Sequence, residues 1–386
     1  MTTETGAGAV RVGRDELARL TGAKLVANVG ARWVPFFLPT LATALSATTR
    51  QLTVVLGVAE LAGLAALPAG RQLDRGRERP TIVLALVLTA VGATLALTGR
   101  FAAFAVGTVL TILGVSLCTV AGHTYLSRRV VFHRRARVLA LFETSWALSL
   151  LVGAPVAAVL ITVAGWRGPY VAVAVGGVVM AVVVARGRSV TPLLPDVDGV
   201  TPGGRLGPAA WIAIAASSAI GVTGLTTIVI AGTWLDEDLG VSTGGVGLVA
   251  MAFGLAELAA SSTSAAVADV VGPNRSTRLA LLVTIVGLVV MTRADGSLPV
   301  GAIGLALFFL GFEFAIVTSF ALVSEAVPAA RGRVLATNVA VGTVLRGIGV
   351  MASGWLYDAV GISGPAGLAI SSGLVAVVLL SVLARR

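Results

Sequence analysis

Residues 57–62 read GVAELA and residues 254–259 read GLAELA, so nearly the same six residues occur twice in the chain. Each copy places a glutamate, Glu60 or Glu257, in the middle of a long apolar run. The copies lie 197 positions apart in a chain of 386 residues, which is the separation expected between the two halves of a duplicated protein.

Two other pairs of short segments share this separation. RARVLA at 135–140 returns as RGRVLA at 331–336, and the dipeptide LG at 113–114 returns at 310–311. One match between Ala- and Leu-rich strings can arise by chance, but three matches at nearly one offset predict an internal duplication.

The composition is that of a membrane protein. Hydrophobic residues make up 56% of the chain and charged residues 12%, against roughly 25% charged residues in soluble domains. The mean hydropathy is +0.96. A helix that crosses a bilayer needs about 20 mainly apolar residues. Runs of this kind predict twelve crossings, of which the ninth is short: 24–45, 51–69, 81–98, 102–126, 138–163, 169–185, 209–234, 243–266, 279–292, 299–324, 334–357 and 364–383.

These crossings predict an all-α integral membrane protein built as two pseudo-symmetric six-helix bundles. Because each copy contains an even number of crossings, both halves have the same orientation, and a parallel repeat of this kind has its axis along the membrane normal. We expect the first bundle at residues 1–186 and the second at 209–386. The segment 187–208 between them is rich in Pro, Gly and Asp and is predicted to be a cytoplasmic linker with little regular structure.

Positive charge is distributed unevenly between the two sides of the membrane. Most of the 28 Lys and Arg fall on the side of the N-terminus, whereas Arg50, Arg100, Arg167 and Arg293 fall on the other side. Because cytoplasmic segments carry such an excess, both termini are predicted to be cytoplasmic, in the inner (plasma) membrane. The net charge of +10 then needs no nucleic-acid partner to explain it.

The loop after the second crossing reads GRQLDRGRERP at 70–80. Glycines permit a tight turn between two helix ends, and an acidic side chain there can pair with arginine or with a helix N-terminus. The loop resembles the one between helices 2 and 3 of the major facilitator superfamily, in which Gly, an apolar residue, Asp-Arg and Gly-Arg recur. One residue is missing between Arg75 and Gly76. The loop after the eighth crossing, AAVADVVGPNR, keeps Asp269 and Gly272 but lacks the first Arg.

With twelve crossings, a repeat of six and a long central loop, the resemblance covers essentially the whole chain and implies this family's fold. A loop of this kind can act as a gate that closes the cytoplasmic side in one conformation and releases it in another. The alternative is a charged loop that only sets the topology. The candidate gate residues are Gly70, Asp74, Arg75, Arg77 and Asp269.

A second, weaker resemblance lies in the fifth crossing. GAPVAA at 153–158 resembles a degraded form of the Gly-Pro-x-x-Gly-Gly stretch of antiporters in the superfamily, with alanine in place of glycine. Small residues let helices approach closely, and Pro155 removes a backbone hydrogen bond and can kink the helix. The stretch is compatible with antiport, and helix packing alone also explains it.

Six charged residues lie well inside the predicted crossings. A charge at the bilayer centre costs roughly 2.5 to 3.5 kcal/mol on insertion scales, so each one needs a partner or a polar cavity. None falls on the third, sixth, ninth or twelfth crossing, which the resemblance places toward the lipid. The six are Arg32, Glu60, Glu143, Glu257, Glu313 and Arg346.

Glu60 is predicted to pair with Arg346 or Arg32, because the second crossing neighbours the eleventh in the superfamily fold. Four carboxylates against two guanidiniums leave two carboxylates without a fixed cation, and burial favours the protonated form of such a group. Glu257 has no obvious cation. Any of the carboxylates could also be purely structural, and Glu143 could balance the basic loop before it. The candidates for proton coupling are, in order, Glu313, Glu257, Glu143 and Glu60.

Polar residues on the same crossings extend the candidate cavity. Asn28 lies one turn before Arg32 on the same helix face, and packing is its alternative role, as it is for Trp146. His123 lies near the cytoplasmic end of the fourth crossing, where an interfacial role is the alternative. The candidates for the substrate cavity are Arg32, Asn28, Arg346, Trp146, Asn338 and His123.

No Gly-rich loop precedes Lys-Ser or Lys-Thr, so nothing indicates ATP-driven transport. The sequence shows no enzyme, cofactor or metal signature. The resemblance implies a secondary transporter with alternating access, and we expect a monomer that exports a small drug-like or amphipathic metabolite in exchange for protons. The alternative is proton-coupled uptake of a small polar or anionic solute, favoured if Arg32 and Arg346 are free rather than paired. A pore or a non-transporting receptor is a remote alternative.

Overall fold

The computed structural model of the protein describes residues 13–69, 72–73, 75–130, 132–187, 206–326 and 331–385, and the regular elements within these ranges are all helical. Fourteen α-helices lie in the described part of the chain. They are α1 Arg14–Arg32, α2 Leu38–Leu45, α3 Thr49–Ala62, α4 Glu78–Ala96, α5 Phe101–Ser127, α6 Phe132–Leu151, α7 Gly153–Ala164, α8 Arg167–Arg186, α9 Pro208–Thr233, α10 Thr243–Val271, α11 Pro273–Met291, α12 Leu298–Glu325, α13 Arg331–Val360 and α14 Ser363–Leu383.

Three of the predicted crossings are built from two helical pieces each. A 3-10 turn, Val34–Phe37, joins α1 to α2, and a second 3-10 turn, Gly63–Ala69, extends α3. Within the described residues, eleven segments are long and apolar enough to cross a membrane. The second crossing falls short by this measure because its α-helix ends at Ala62. With its 3-10 extension it covers the predicted range 51–69.

Local chemistry explains two of the boundaries. Ser46 adopts a left-handed conformation after α2, with φ of 49°, and Thr48 and Gln51 form a capping box that begins α3. In the fifth crossing the helix ends at Leu151 and resumes at Gly153. Because Pro155 has no N–H to donate to the carbonyl four residues earlier, the interruption lies where the sequence predicts a kink.

The duplication is visible in the backbone. Glycines with positive φ follow helix ends at equivalent places in both halves, where a residue without Cβ tolerates the left-handed conformation. The pairs, separated by 196 or 197 positions, are Gly76 and Gly272 (φ 74° and 87°), Gly99 and Gly296 (71° and 79°), and Gly165 and Gly361 (69° and 61°).

The repeated LG dipeptides mark the same helix contact in each half. A Cβ atom on Gly114 would lie 2.6 Å from the carbonyl oxygen of Ala85, and one on Gly311 would lie 2.6 Å from that of Ala280. Glycine therefore allows α5 to pack closely on α4, and α12 on α11.

The two halves meet where α3 packs on α13, where α10 packs on α6 and α7, and where α9 packs on the Val34–Phe37 turn and α2. The repeated hexamers lie on the first two of these contacts. A Cβ atom on Gly57 would lie 2.6 Å from the carbonyl oxygen of Gly347, and one on Gly254 would lie 2.9 Å from that of Ala147. Both hexamers are therefore positioned at the interface between the halves.

Three observations refine the predicted crossings. Helix α1 begins at Arg14, so Lys24 lies well inside the first crossing, and α11 at Pro273–Met291 is longer than the short ninth run predicts. Helices α4, α8, α11 and α14 expose rows of aliphatic side chains, as expected for crossings that face lipid. The predicted linker falls between Arg186 and Pro208, and residues 188–205 lie outside the described part.

Candidate functional site

Arg32 and Glu257 form a bidentate ion pair between the halves. Arg32 ends α1 in the first half, and Glu257 lies in the middle of α10 in the second half. Arg32 Nη1 donates to Glu257 Oε2 at 2.9 Å, and Nη2 donates to Oε1. The Glu257 side chain is only 2% exposed. The expectation that Glu257 lacks a cation is therefore wrong, because α1 and α10 bring together residues that are far apart in sequence.

Trp146 on α6 contacts both members of this pair. Its indole Nε1 donates to Glu257 Oε1 at 3.2 Å, and the guanidinium carbon of Arg32 lies 4.0 Å from the ring centroid. Its carbonyl oxygen accepts a hydrogen bond from Arg32 Nη1 at 2.6 Å. Ser149 on the next turn is a further partner of Nη1, at 3.3 Å. Helix α6 thus holds the arginine in place.

Glu313 on α12 completes the cluster. Its buried carboxyl group lies close enough to that of Glu257 for the two to interact, and Arg32 acts on both. Because two buried carboxylates close to each other repel, we expect one of them to hold a proton. With that proton, the charges of Arg32, Glu257 and Glu313 sum to zero.

A second ion pair crosses the interface between α3 and α13. Glu60 Oε2 lies 3.6 Å from Arg346 Nη2, and both side chains are partly exposed. Of the two partners that the sequence leaves open for Glu60, the structure has Arg346. The arginine passes over Gly221 of α9, where a Cβ atom would lie 3.1 Å from its side chain, and it donates to Thr343 at 3.2 Å.

Lys24 is a charged residue that the sequence reasoning missed. Its side chain is 1% exposed and donates to Glu143 Oε1 at 2.5 Å. His123 Nε2 hydrogen-bonds the same oxygen. The hypothesis that Glu143 balances the basic loop before it is not supported, since these two partners lie on α1 and α5. Two signals point to Lys24: it is the only lysine in the chain, and it precedes Arg32 by two helical turns.

The two predicted amides are buried without partners. Asn28 lies between Lys24 and Arg32 along α1, and neither atom of its amide has a hydrogen-bond partner among the described residues. The side-chain oxygen of Asn338 on α13 is likewise unpaired within the described part of the chain. Neither residue touches the two interfacial ion pairs through a hydrogen bond.

The predicted gate is described only in part. Gly70 and Asp74 lie outside the described residues, and so does the side chain of Asp269, whose backbone belongs to α10. Arg75 and Arg77 are exposed, and Arg77 donates to the side chain of Gln72 at 3.2 Å.

Arg128, which the sequence reasoning did not single out, anchors the gate loop. From the end of α5 it donates to the carbonyl of Leu73 at 2.9 Å and to Glu78 Oε1 at 3.1 Å. Glu78 is buried at the start of α4. These contacts lie within the first half, so the loop is bound here to its own bundle.

The remaining contacts between halves lie toward the side opposite the termini, which we call the far side; the side where α1 begins and α14 ends is the terminal side. Phe36 packs against Phe253, with 6.3 Å between ring centroids, one turn beyond the Arg32 cluster. At the far ends of α3 and α13, Arg50 lies 4.0 Å from Asp358. Glu143, one turn from Trp146 toward the terminal side, is 41% exposed. These contacts indicate a crevice that opens to the terminal side.

Two bundles of membrane helices that meet around buried, oppositely charged side chains are the architecture of a polytopic membrane transporter. Among the described residues, no group of three or more His, Cys, Asp or Glu could hold a metal ion. The profile of the family described as Major Facilitator Superfamily matches residues 20–214 and 212–386. The chain therefore belongs to the Major Facilitator Superfamily, which confirms the resemblance and the predicted fold.

Solved structures with the same fold include two kinds of transporter. The crystal structure of a bacterial homologue of the human lysosomal transporter Spinster, inward-facing and unoccupied, is 14% identical, with a TM-score of 0.73 over 96% of this chain and 95% of that one. The D-xylose–proton symporter is 15% identical, with a TM-score of 0.76 over 95% and 96%. At these identities the likeness shows the fold alone. A comparison with curated proteins finds no match.

Proposed function

We propose that the protein is a proton-coupled secondary transporter that exports a small drug-like or amphipathic metabolite. The observation that carries this proposal is the cluster of two buried carboxyl groups, Glu257 and Glu313, against the single guanidinium of Arg32. The cluster is neutral with one proton and carries one negative charge without it.

The cluster can link proton binding to the position of the two halves. Removing the proton leaves a buried negative charge, which is costly unless another positive group compensates it. Since Arg32 lies in the first half and both carboxyl groups lie in the second, the charge of the pair changes the attraction across the interface. A proton or a cationic cargo can each neutralise the site, and the two therefore compete.

Alternating access follows from the contacts between the halves. In the conformation described here the Phe36–Phe253 and Arg50–Asp358 contacts join the halves on the far side. Opening the far side requires these contacts to break. The loop held by Arg128 is the element available to close the terminal side.

Because both intramembrane arginines are paired with glutamates, export is favoured over uptake of an anionic solute. Arg32 pairs with Glu257 and Arg346 pairs with Glu60, so neither guanidinium is free for an anionic cargo. The excess of arginine on the terminal side supports cytoplasmic termini in the plasma membrane. Under this proposal the crevice faces the cytoplasm, and the protein acts as a monomer.

The test is reconstitution into liposomes with an imposed pH gradient and a pH-sensitive dye inside. We expect ethidium or tetraphenylphosphonium to be transported and to drive proton movement in the opposite direction. Glu313→Gln should abolish the proton movement, whereas Glu60→Gln, at the other ion pair, should retain it. D-Xylose, the cargo named for one structural neighbour, and a small carboxylate test the uptake alternative.

A measurement without cargo complements this assay. Infrared difference spectra between mildly acidic and mildly alkaline buffer should show a protonated carboxyl band that disappears in Glu313→Gln or Glu257→Gln. A band that survives both substitutions, together with cargo movement that is indifferent to the pH gradient, would contradict proton coupling at this site.

A further inference from the structure

Trp146 joins the open crevice to the buried carboxyl groups. Its side chain is 41% exposed although it contacts Arg32 and Glu257, two of the least exposed charges of the interface. It lies three residues after the equally exposed Glu143 on α6, so both side chains share the face of the helix that borders the crevice.

Three different parts of Trp146 make these contacts. The carbonyl oxygen is fixed by the helix, one ring face covers the guanidinium, and the indole N–H donates to the carboxylate. The side chain is the only one of these parts that can move without unwinding α6. We call its observed position, with the N–H on Glu257, the docked position.

The docked position depends on the charge of Glu257. A hydrogen bond to an ionised carboxylate is stronger than one to a neutral carboxyl group and favours the ionised form. Protonation of the Glu257–Glu313 pair therefore weakens the hold on the indole, and a docked indole favours loss of the proton. The other charged groups near the indole are Arg32 on α1 and, one turn along α6, Glu143 with its partners Lys24 and His123.

Resting on the proposed function, we propose that Trp146 couples cargo binding to release of the proton. A planar aromatic or cationic amphipathic cargo stacks on the exposed part of the docked indole and holds the indole in the docked position. The docked indole in turn favours loss of the proton from the Glu257–Glu313 pair. Indole rings bind both planar rings and cations at their faces. The exchange balances, since one proton leaves the carboxyl group for water as one cargo molecule binds, and a monovalent cationic cargo leaves the net charge of the site unchanged.

The substitution Trp146→Phe separates the two parts of this role, because phenylalanine keeps a ring for stacking and loses the N–H. In purified wild-type protein, we expect ethidium or tetraphenylphosphonium to bind more tightly as the pH rises, by up to about tenfold per pH unit if one proton is exchanged. Trp146→Phe should bind these probes within a few-fold of wild type with most of this pH dependence lost. Trp146→Leu should lose binding as well.

A second readout needs no cargo. The emission of Trp146, obtained as the difference between wild type and Trp146→Phe, should change with pH as the indole docks and undocks. The same difference, taken in a Glu257→Gln background, should be independent of pH. Thermal unfolding of each variant shows whether it is folded.

The inference is overturned if the Trp146 emission does not respond to pH, or if Trp146→Phe retains the full pH dependence of probe binding. If neither probe perturbs the Trp146 emission, the proposed class of cargo, planar aromatic or cationic amphipathic molecules, is wrong. If Trp146→Phe couples normally while Glu313→Gln does not, this inference fails and the proposed function stands. If Glu313→Gln also couples normally, the proposed function itself fails.

Discussion

Single residues show how one inherited position acquired two environments. Glu60 and Glu257 occupy the same place in the repeated hexamers. Glu60 faces Arg346 on α13, whereas Glu257 faces the less exposed Arg32 on α1 and a second carboxyl group. The arginines are not related by the repeat, because neither Arg32 nor Arg346 has an arginine at the equivalent position of the other half. The two glutamates therefore have different surroundings because the positions of the arginines diverged between the halves, while the glutamates themselves were kept.

Lys24 and Glu143 offer a prediction at this scale. Since Lys24 is 1% exposed and Glu143 is 41% exposed, Glu143→Gln leaves a buried charge unpaired, whereas Lys24→Met leaves Glu143 with His123 and water. We expect Glu143→Gln to destabilise the protein by on the order of 2 kcal/mol, below the range for fully buried pairs because the carboxylate is partly exposed. Lys24→Met should cost less.

Thermal unfolding in detergent measures the effect, and the double variant is the control. Removing both charges should recover much of the stability lost in Glu143→Gln, because no unpaired ammonium remains. Equal losses in the two single variants, with a double variant equal to their sum, would show that the two residues do not interact.

At the scale of secondary-structure elements, glycines allow helices of the two halves to pack closely across the interface. Gly57 lets α3 approach α13, and Gly254 lets α10 approach α6. The part of the hexamer that both copies use in the same way is therefore this glycine. The glutamate three residues later is placed at the interface as a consequence, since helical neighbours at this spacing share a face.

We expect Gly254→Ala to destabilise the contact between the halves and to reduce transport. The added Cβ would lie 2.9 Å from the carbonyl oxygen of Ala147, and overpacking of this kind typically costs about 1 to 3 kcal/mol. Gly244→Ala in the same helix is the matched control, because nothing lies within 4 Å of its added Cβ. Thermal unfolding of both variants checks this, and a Gly254→Ala variant as stable as Gly244→Ala would contradict the close approach.

On the far side the two halves are joined by packing of the Val34–Phe37 turn on α9 and α10 and by one exposed ion pair. Arg50 lies 4.0 Å from Asp358, stacks on Trp355 at 4.3 Å from the ring centroid, and all three side chains are exposed. An exposed ion pair contributes about 0.2 to 1 kcal/mol. This modest energy suits a contact that must break and form again during each transport cycle.

Asp358→Asn should shift the population toward opening of the far side. A loss of about 0.5 to 1 kcal/mol corresponds to a change of about two- to fivefold in the ratio of the two states. Hydrogen exchange should then increase at the far ends of α3 and α13. Asp295→Asn, the same substitution in an exposed far-side loop of the second half, is the control and should leave this exchange unchanged.

Much of the site can be predicted from the sequence, and the residues that were missed show where such prediction fails. The intramembrane charges, Trp146 and the small residues of the fifth crossing are all recognisable, because polar groups and proline are conspicuous in apolar helices. Lys24 was missed because the first crossing was predicted to begin at residue 24, which placed this lysine at the cytoplasmic surface. Helix boundaries are the feature that sequence predicts least reliably. Nothing in the sequence distinguishes Arg128 and Glu78 from other charges near loops, because they pair only when α5 packs against α4.

The sequence by itself determined the membrane environment, the number and order of the crossings and the repeat of six, because hydropathy and self-similarity are properties of contiguous residues. Only the tertiary structure decided which charge faces which. The pairing of Arg32 with Glu257, of Glu60 with Arg346 and of Lys24 with Glu143 depends on helices far apart in sequence meeting at one depth and one rotation. The partner of each carboxylate therefore depends on how the helices pack, and the neighbouring residues in the sequence do not indicate which partner it will be.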